Sequence, residues 1–301
     1  MKATRFPAYL PHDVFVAPAR RTAAVWRLFT GGAVIVATYM ALFFLLGAWL
    51  VHSYGQLIAA ALVQRIARGD TPGVMILLLW SFLGLAAGPM VAVRLVHRRA
   101  AGTLFGPSAR KAIADFRTVA LPLLGLYAAL LPLTLGAEDI RPGLTFGAFL
   151  GYLPFALPGI LIQTGAEELV FRGYLQQQIA ARFDHPAIWM GIPSALFAWG
   201  HYLPADYGPN AWMVALWAGV FGLLAADLTA RTGTLGAALG FHFANNVAAL
   251  LLVGIEHDLD GLALWSVSVD LSDPGAIGPA LTVDFATMLT SWLLARAALR
   301  V

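Results

Sequence analysis

The sequence predicts an all-α polytopic membrane bundle of about eight transmembrane helices, and its composition is the first reason. The chain has 301 residues, of which 59% are hydrophobic and 12% charged, whereas soluble domains are about 45–50% apolar and about 25% charged. The apolar residues are spread over the whole length, which favours one integral membrane domain over residues 1–301. The absence of cysteine excludes disulfides, cysteine-ligated zinc and a cysteine nucleophile.

The second reason is the number of long apolar segments. A transmembrane helix needs about 20 mostly apolar residues, and eight segments approach or exceed that length. The predicted spans are residues 28–51, 73–96, 118–136, 144–171, 186–203, 211–230, 233–254 and 279–298.

The distribution of lysine and arginine gives the orientation of these spans. With a cytoplasmic N-terminus, every basic residue except Arg65, Arg68 and Arg141 falls in a cytoplasmic segment. The positive-inside rule therefore predicts that both termini are cytoplasmic, and the Ala/Leu-rich composition with short loops favours a bacterial inner membrane. The same rule explains the net charge of +3 and the pI near 9.4, so nucleic acid is not predicted as a partner.

Other segments allow predictions about packing, loops and ion pairs. The small residues of "GTLGAALG" (233–240) favour close helix packing. Residues 96–113 are predicted to form a solvated cytoplasmic loop that touches anionic lipid, and residues 257–278 an outer loop that is partly strand-like. Asp227 and Arg231, four residues apart at a helix end, are predicted to form a surface ion pair.

Polar side chains inside the predicted spans are the candidates for function. A charged residue at the centre of a membrane helix costs about 2.5–3.5 kcal/mol or more, so such residues are rarely kept without a role. This short set contains two carboxylates, one guanidinium, two imidazoles and two amides. It consists of Glu167, Glu168, Arg172, His201, His242, Asn245 and Asn246.

The stretch "GAEELVFRG" (165–173) contains both of these glutamates. Glu168 and Arg172 are four residues apart, share one helix face and are predicted to pair. Glu167 points about 100° away on the helical wheel and has no obvious local partner. The spacing therefore predicts Glu167 as the reactive carboxylate and Glu168 as the oriented one.

Helical spacing and depth relate these glutamates to the two histidines. In a hairpin that turns near residues 182–186, Glu167 and His201 lie at nearly the same depth, about 25 Å from the turn. His242 reaches that depth if the turn projects into the cytoplasm by about two helical turns. His242 and Asn246 share one face, and Phe197 is placed to form a wall beside His201. The glutamates, histidines and Asn246 are thus predicted to converge inside the bilayer.

Three motifs, in order on successive helices, resemble the CAAX protease and bacteriocin-processing family of intramembrane proteases. "EELVFR" matches the family pattern EExxxR, "FAWGH" matches FxxxH, and "HFANN" matches HxxxN. The family's pattern is matched at Glu167, Glu168, Arg172, Phe197, His201, His242 and Asn246. The resemblance covers about residues 145–255, which are therefore predicted to be the protease core.

The resemblance implies an eight-helix bundle and a glutamate-dependent endopeptidase that cuts peptide bonds near the membrane. By carry-over, Glu167 with His201 activates a water, and His242 with Asn246 stabilises the oxyanion. The implied substrate is a membrane-associated or lipidated peptide or protein, and a prenylated C-terminus is one candidate. Such a mechanism requires no cofactor.

A zinc-dependent mechanism is an alternative that uses the same side chains. Glu167, His201 and His242 could bind zinc and leave one position open for water, and the family is often described as metalloproteases. The motif HExxH is absent. The sequence favours the glutamate-activated water slightly and leaves zinc open.

Two other classes of function also stay open at this stage. Acids and histidines inside a bundle suit a proton-coupled transporter, although no internal repeat and no pair of broken helices is visible. A non-proteolytic immunity or scaffold protein of the same fold is the other alternative. A Glu167→Gln variant separates them, because a protease loses its activity and a scaffold keeps its function.

Overall fold

The computed structural model describes residues 6–136, 139–271 and 273–301, and this part of the chain is mainly α-helical. Its α-helices are α1 (Leu10–Arg20), α2 (Val25–Tyr54), α3 (Gln56–Arg68), α4 (Pro72–Ser81), α5 (Leu83–Leu95), α6 (Ala109–Thr134), α7 (Phe146–Glu168), α8 (Gln177–Ala180), α9 (Pro186–Gly200), α10 (Pro204–Tyr207), α11 (Ala211–Thr232), α12 (Gly236–Val247) and α13 (Pro274–Leu299).

Short segments of other kinds join these helices. The 3₁₀ turns are Pro7–Tyr9, Ala101–Leu104 and Gly208–Asn210, the π-helical segments are Leu169–Gln176 and Ala248–Leu252, and the strands are β1 (Ile140–Pro142), β2 (Val253–Ile255) and β3 (Trp265–Val267). Strand β3 pairs antiparallel with β1 and parallel with β2. The strand-like character predicted within residues 257–278 is therefore confirmed at β3, while Ser272 lies outside the described residues.

The all-α membrane bundle is confirmed, and the number of spans is the point that differs from the sequence-based count. Within the described ranges, six helices are long and apolar enough to cross a membrane. The predicted spans 186–203 and 233–254 correspond to α9, with 15 residues, and to the shorter apolar helix Gly236–Leu252. At about 1.5 Å per residue, α9 is shorter than the hydrocarbon core is thick. Eight spans and cytoplasmic termini therefore stay predictions.

Helix α12 packs against α6 through two glycines, as the small residues of 233–240 predicted. A β-carbon placed on Gly236 would lie 1.9 Å from the carbonyl oxygen of Ala112, and one on Gly240 would lie 2.6 Å from the carbonyl oxygen of Phe116. Only glycine lets the two backbones approach this closely. This contact fixes the position of α12, the helix that carries His242.

Gly236→Ala should therefore destabilise the protein. The added methyl group overlaps a backbone oxygen, and overpacking of this kind costs about 1–3 kcal/mol. The matched control is Gly125→Ala on α6, where an added β-carbon meets nothing within 4 Å. Thermal unfolding in detergent should show a lower midpoint for Gly236→Ala only. Equal midpoints for the two variants would mean that the α6–α12 contact is looser than described.

The predicted surface pair Asp227–Arg231 is wrong in its location, because Asp227 is 6% exposed. Arg231 Nε lies 2.9 Å from both carboxylate oxygens. The Tyr9 hydroxyl donates to one of these oxygens at 2.9 Å, and Trp292 Nε1 donates to the other at 3.0 Å. The pair thus joins α11 and α13 to the segment before α1, and this tertiary cover is invisible in the local spacing.

The predicted solvated loop 96–113 is also wrong in part. His97 is 2% exposed, and its Nδ1 lies 3.0 Å from the hydroxyl of Thr22. Residues 101–104 form a 3₁₀ turn, and α6 already begins at Ala109. The N-terminal segment and α8 cover this stretch, which a sequence pattern of basic residues alone does not reveal.

Candidate active site

The two adjacent glutamates lie at the end of α7, where the helix changes type. Helix α7 ends at Glu168, and the π-helical segment Leu169–Gln176 follows without a break. A second π-helical segment, Ala248–Leu252, begins two residues after Asn246. Such π segments are rare and frequently occur at functional sites. A wider helical turn thus follows the two glutamates directly and begins shortly after Asn246.

Glu168 is fully buried and held from two sides. Arg172 Nη1 donates to Glu168 Oε1 at 2.8 Å, which confirms the predicted pair. His242 Nδ1, on α12, lies 2.8 Å from the same oxygen. Arg172 is also buried, donates to the carbonyl oxygen of Gly222 at 3.1 Å and lies 5.0 Å from the Phe197 ring centroid. Glu168 is therefore a fixed joint between α7, α11 and α12.

Glu167 has a different environment from its neighbour. Its side chain is 14% exposed, and its Oε2 lies 3.6 Å from His242 Nε2. Gln163 Nε2 donates to Glu167 Oε1 at 2.7 Å. The prediction that Glu167 lacks a local partner is therefore wrong. Gln163 lies one helical turn before Glu167, so the four-residue spacing that related Glu168 to Arg172 could have found it.

Asn246 reaches Glu167 through the same glutamine. Asn246 Nδ2 donates to Gln163 Oε1 at 2.7 Å, and Asn245 Nδ2 donates to Asn246 Oδ1 at 3.3 Å. The amide of Gln163 is thus bonded at both ends, by Glu167 and by Asn246. Sequence reasoning considered the polar residues of the three motif stretches and so left out Gln163, which lies just before them in the same predicted span.

His242 is the residue that joins the two carboxylates. A carboxylate oxygen only accepts hydrogen bonds, so the contact with Glu168 places a proton on His242 Nδ1. Its Nε2 then faces Glu167, and the ring packs edge-on against Phe221 with centroids 4.9 Å apart. The imidazole is therefore held in one orientation, with one nitrogen used for positioning and the other directed at Glu167.

His201 lies beside this group, against the ring of Phe197. Its Nδ1 is 2.8 Å from the carbonyl oxygen of Phe197, and the two rings have centroids 4.4 Å apart. The Phe197 ring is 6.3 Å from His242. The structure thus brings Glu167, Glu168, Arg172, His242 and Asn246 into one hydrogen-bonded or ionic cluster, and His201 adjoins it through Phe197.

The predicted zinc ligands do not form a three-ligand group. Zinc in catalytic sites is held by three protein side chains. In the part of the chain that the structure describes, no group of three or more histidine, aspartate and glutamate side chains is arranged to hold a metal ion. Glu167 and His242 face each other, whereas the contacts of His201 are to Phe197. The geometry therefore does not fit zinc, and no step proposed below runs through a metal.

Comparison with known families adds an independent observation to this geometry. Residues 149–248 match the model of a family described as type II CAAX prenyl endopeptidase Rce1-like. This segment is therefore similar to the Rce1-like family. The match confirms the resemblance inferred from the motifs, and the segment contains all six predicted site residues. The structure and the match together describe an integral, multi-pass membrane protein with a CAAX-protease-like segment.

A curated relative is also similar to this chain. The chain is 26% identical over 190 residues to "Uncharacterized protein YyaK" of Bacillus subtilis (strain 168), a match that covers 60% of this chain. The chain spans 61% of the length of that relative. No solved structure matches the chain.

Proposed function

We propose that the protein is an intramembrane endopeptidase that hydrolyses peptide bonds of membrane-associated or lipidated substrates. The observation that carries this proposal is the position of His242 between two carboxylates on membrane helices, with Nδ1 2.8 Å from Glu168 and Nε2 3.6 Å from Glu167. The Rce1-like match over residues 149–248 supports the same reaction class.

The two adjacent glutamates have different roles in this proposal. Glu168 is fully enclosed and bonded to Arg172 and His242, so it positions the imidazole and does not meet the substrate. Glu167 is partly exposed, and its Oε2 is directed at His242 across 3.6 Å. This distance is longer than a direct hydrogen bond, so Oε2 is not committed to His242 and can accept a proton from a water. Glu167 is therefore the carboxylate that acts on the attacking water.

The chemical step follows from this arrangement. Glu167 takes a proton from the water as the water oxygen bonds to the scissile carbonyl carbon. The tetrahedral intermediate then collapses, the C–N bond breaks, and the same proton passes from Glu167 to the leaving amine. General acid–base catalysis by one positioned group contributes typically about 10²–10⁴-fold to a rate.

The remaining polar groups support the charge and the geometry of this step. His242 presents Nε2 to the reacting centre, where its protonated form donates to the developing oxyanion. Asn246 acts through Gln163, which holds Glu167 Oε1 and leaves Oε2 for the water. His201 keeps its Nδ1 on the Phe197 carbonyl, so its Nε2 is the nitrogen that can assist the water or the leaving group.

The substrate class is deduced from the position of the site. The cluster lies on helices within the bundle, so a substrate approaches through or along the membrane. We infer a membrane-associated peptide or protein C-terminus that enters from the cytoplasmic side, with a prenylated C-terminus as one candidate. The lysine and arginine distribution supports cytoplasmic termini, and eight spans in a bacterial inner membrane are proposed with them.

Gln163→Leu should slow cleavage about tenfold or more with little change in KM. The variant removes the hydrogen bonds of Gln163 to Glu167 and Asn246 but leaves both glutamates in the protein. The Glu167 side chain is then no longer held in one orientation. Thr164→Val is the matched control, because the Thr164 hydroxyl bonds only to carbonyl oxygens of its own helix. Steady-state kinetics in proteoliposomes compare the two. A wild-type kcat in Gln163→Leu would remove Gln163 and Asn246 from the proposal.

Cleavage of a defined reporter tests the proposed function. Purified protein in proteoliposomes is incubated with a reporter peptide that carries a lipidated C-terminus and with the same peptide without lipid, and products are identified by mass spectrometry. We expect the lipidated peptide to be cleaved at one site, and we expect this cleavage to continue when a zinc chelator is present. Loss on chelation with rescue by zinc would replace the water mechanism by a metal mechanism. Intact peptide in every arm, including a pool of membrane proteins, would contradict the proposal.

A further inference from the structure

Three arginine side chains meet outside the glutamate–histidine cluster, where three helices begin or end. Arg27 lies in the first turn of α2, Arg99 follows the end of α5, and Arg182 follows the end of α8. His97 and Tyr174 link them, since His97 Nε2 lies 3.0 Å from the Tyr174 hydroxyl, which contacts the carbonyl oxygen of Arg27 at 3.3 Å. These five residues are called the arginine cluster below.

In the part of the chain that the structure describes, no ion pair joins these guanidinium groups to a carboxylate. Arg99 Nη1 donates to the Thr103 hydroxyl at 2.7 Å, and Arg182 Nη2 donates to the carbonyl oxygen of Ala24 at 2.7 Å. Within the described ranges, the ion pairs of the protein do not include Arg27, Arg99 or Arg182. Three positive charges are thus held in fixed positions by neutral oxygens, which leaves their mutual repulsion uncompensated.

Several guanidinium donors in the cluster also have no acceptor. Arg99 Nε, Arg99 Nη2 and Arg182 Nε are shielded from solvent and have no hydrogen-bond partner. Buried donors in proteins are almost always bonded, so these three call for an explanation, and a bound anion is the one that matches their charge. These donors belong to two arginines whose charges both act on His97 and on Tyr174.

The protonation of the cluster keeps it positive at neutral pH. Burial, followed by the charges of Arg99, Arg182 and Arg27, lowers the pKa of His97 to about 4. Burial lowers the pKa of Arg99 to about 10, so Arg99 stays charged. His97 is therefore a neutral link between the arginines.

We propose that Arg27, Arg99 and Arg182 form a binding site for a phosphate oxyanion at the membrane surface. A guanidinium donates two parallel hydrogen bonds to a phosphate and matches its geometry. The cluster lies at the ends of the long apolar helices α2 and α5, which is the depth of lipid headgroups. An anionic lipid headgroup is therefore the favoured source of the phosphate, and free phosphate has the same chemistry.

Thermal unfolding of the detergent-solubilised protein tests this site. The unfolding midpoint is measured by tryptophan fluorescence with added phosphatidylglycerol, phosphatidylcholine or inorganic phosphate. We expect phosphatidylglycerol to raise the wild-type midpoint by several degrees more than phosphatidylcholine does. Arg99→Gln and Arg182→Gln should lose this rise, and Arg94→Gln, which removes an exposed charge from α5, should keep it.

The variants also separate a ligand site from a structural role. Without added anion, Arg99→Gln should unfold at the wild-type midpoint or above, because it removes an uncompensated charge. Arg99→Lys keeps the positive charge but loses the paired donors of the guanidinium group. It should keep less than half of the rise in unfolding midpoint that phosphatidylglycerol causes. An equal rise with inorganic phosphate alone would support the site and identify free phosphate as the ligand. No anion-dependent rise, or an equal loss in Arg94→Gln, would overturn it.

Discussion

Glu167→Gln should reduce the rate of peptide cleavage at least about 100-fold while the protein stays folded. The glutamine keeps the size of the side chain and an oxygen for the Gln163 amide, so the contacts of α7 persist. It cannot accept a proton from water, so the chemical step is lost. Glu167 is partly exposed, and Arg172 keeps its ion pair with Glu168 when Glu167 is neutralised, so no buried charge loses its bonded partner.

The matched control for Glu167→Gln is Glu256→Gln. Glu256 lies far from Glu167 in the sequence and pairs with the exposed Arg141. The Glu256→Gln protein should cleave the reporter peptide at the wild-type rate. The unfolding midpoints of both variants should lie close to that of the wild type. A Glu167→Gln protein that cleaves normally would show that the more exposed carboxylate is not the base, and attention would move to Glu168.

Arg172→Met should lower the free energy of unfolding by about 3–5 kcal/mol, the usual cost of removing one partner of a buried ion pair. Glu168 would keep its contact with His242 but lose the cation that compensates its charge. Both side chains of the pair are 1% exposed or less, so solvent does not replace the lost partner. Chemical denaturation in detergent measures this change.

The double variant Glu168→Gln with Arg172→Met tests whether charge is the cause. The glutamine oxygen can still accept from His242 Nδ1, while no buried charge remains, so the double variant should be more stable than Arg172→Met alone. Arg65→Gln removes one partner of an exposed pair and should change stability by about 0–1 kcal/mol. If Arg172→Met changed stability as little as Arg65→Gln does, the Glu168–Arg172 pair would not be the joint described here.

How much of the site could be predicted depended on whether the contact was local. The pair Glu168–Arg172 follows from one helical turn, and the depth argument brought His242 towards the glutamates. Neither could say which imidazole nitrogen meets which carboxylate, because that is set by the rotation of α12 against α7. The π-helical segment after Glu168 alters such rotations, and no pattern in the sequence marks it.

The fold shows the same division between local and tertiary information. Apolar length predicted the long helices, and the glycines of 233–240 predicted the close α6–α12 contact. Charge patterns misplaced Asp227 and His97, which were taken as solvated. Both are buried because the N-terminal segment folds back over them, through Tyr9 and Thr22. Contacts between residues this far apart in the chain have no signal in their own neighbourhood.

A single-turnover cleavage in water labelled with heavy oxygen (¹⁸O) tests the central claim most directly. Enzyme in excess over the reporter peptide cuts each peptide once, and mass spectrometry then locates the label in the product and in the protein. If Glu167 activates a water, the new carboxyl terminus carries one labelled oxygen and the peptide that contains Glu167 carries none. Label in the Glu167 peptide would mean that the carboxylate itself attacks the substrate, which would contradict the proposed mechanism.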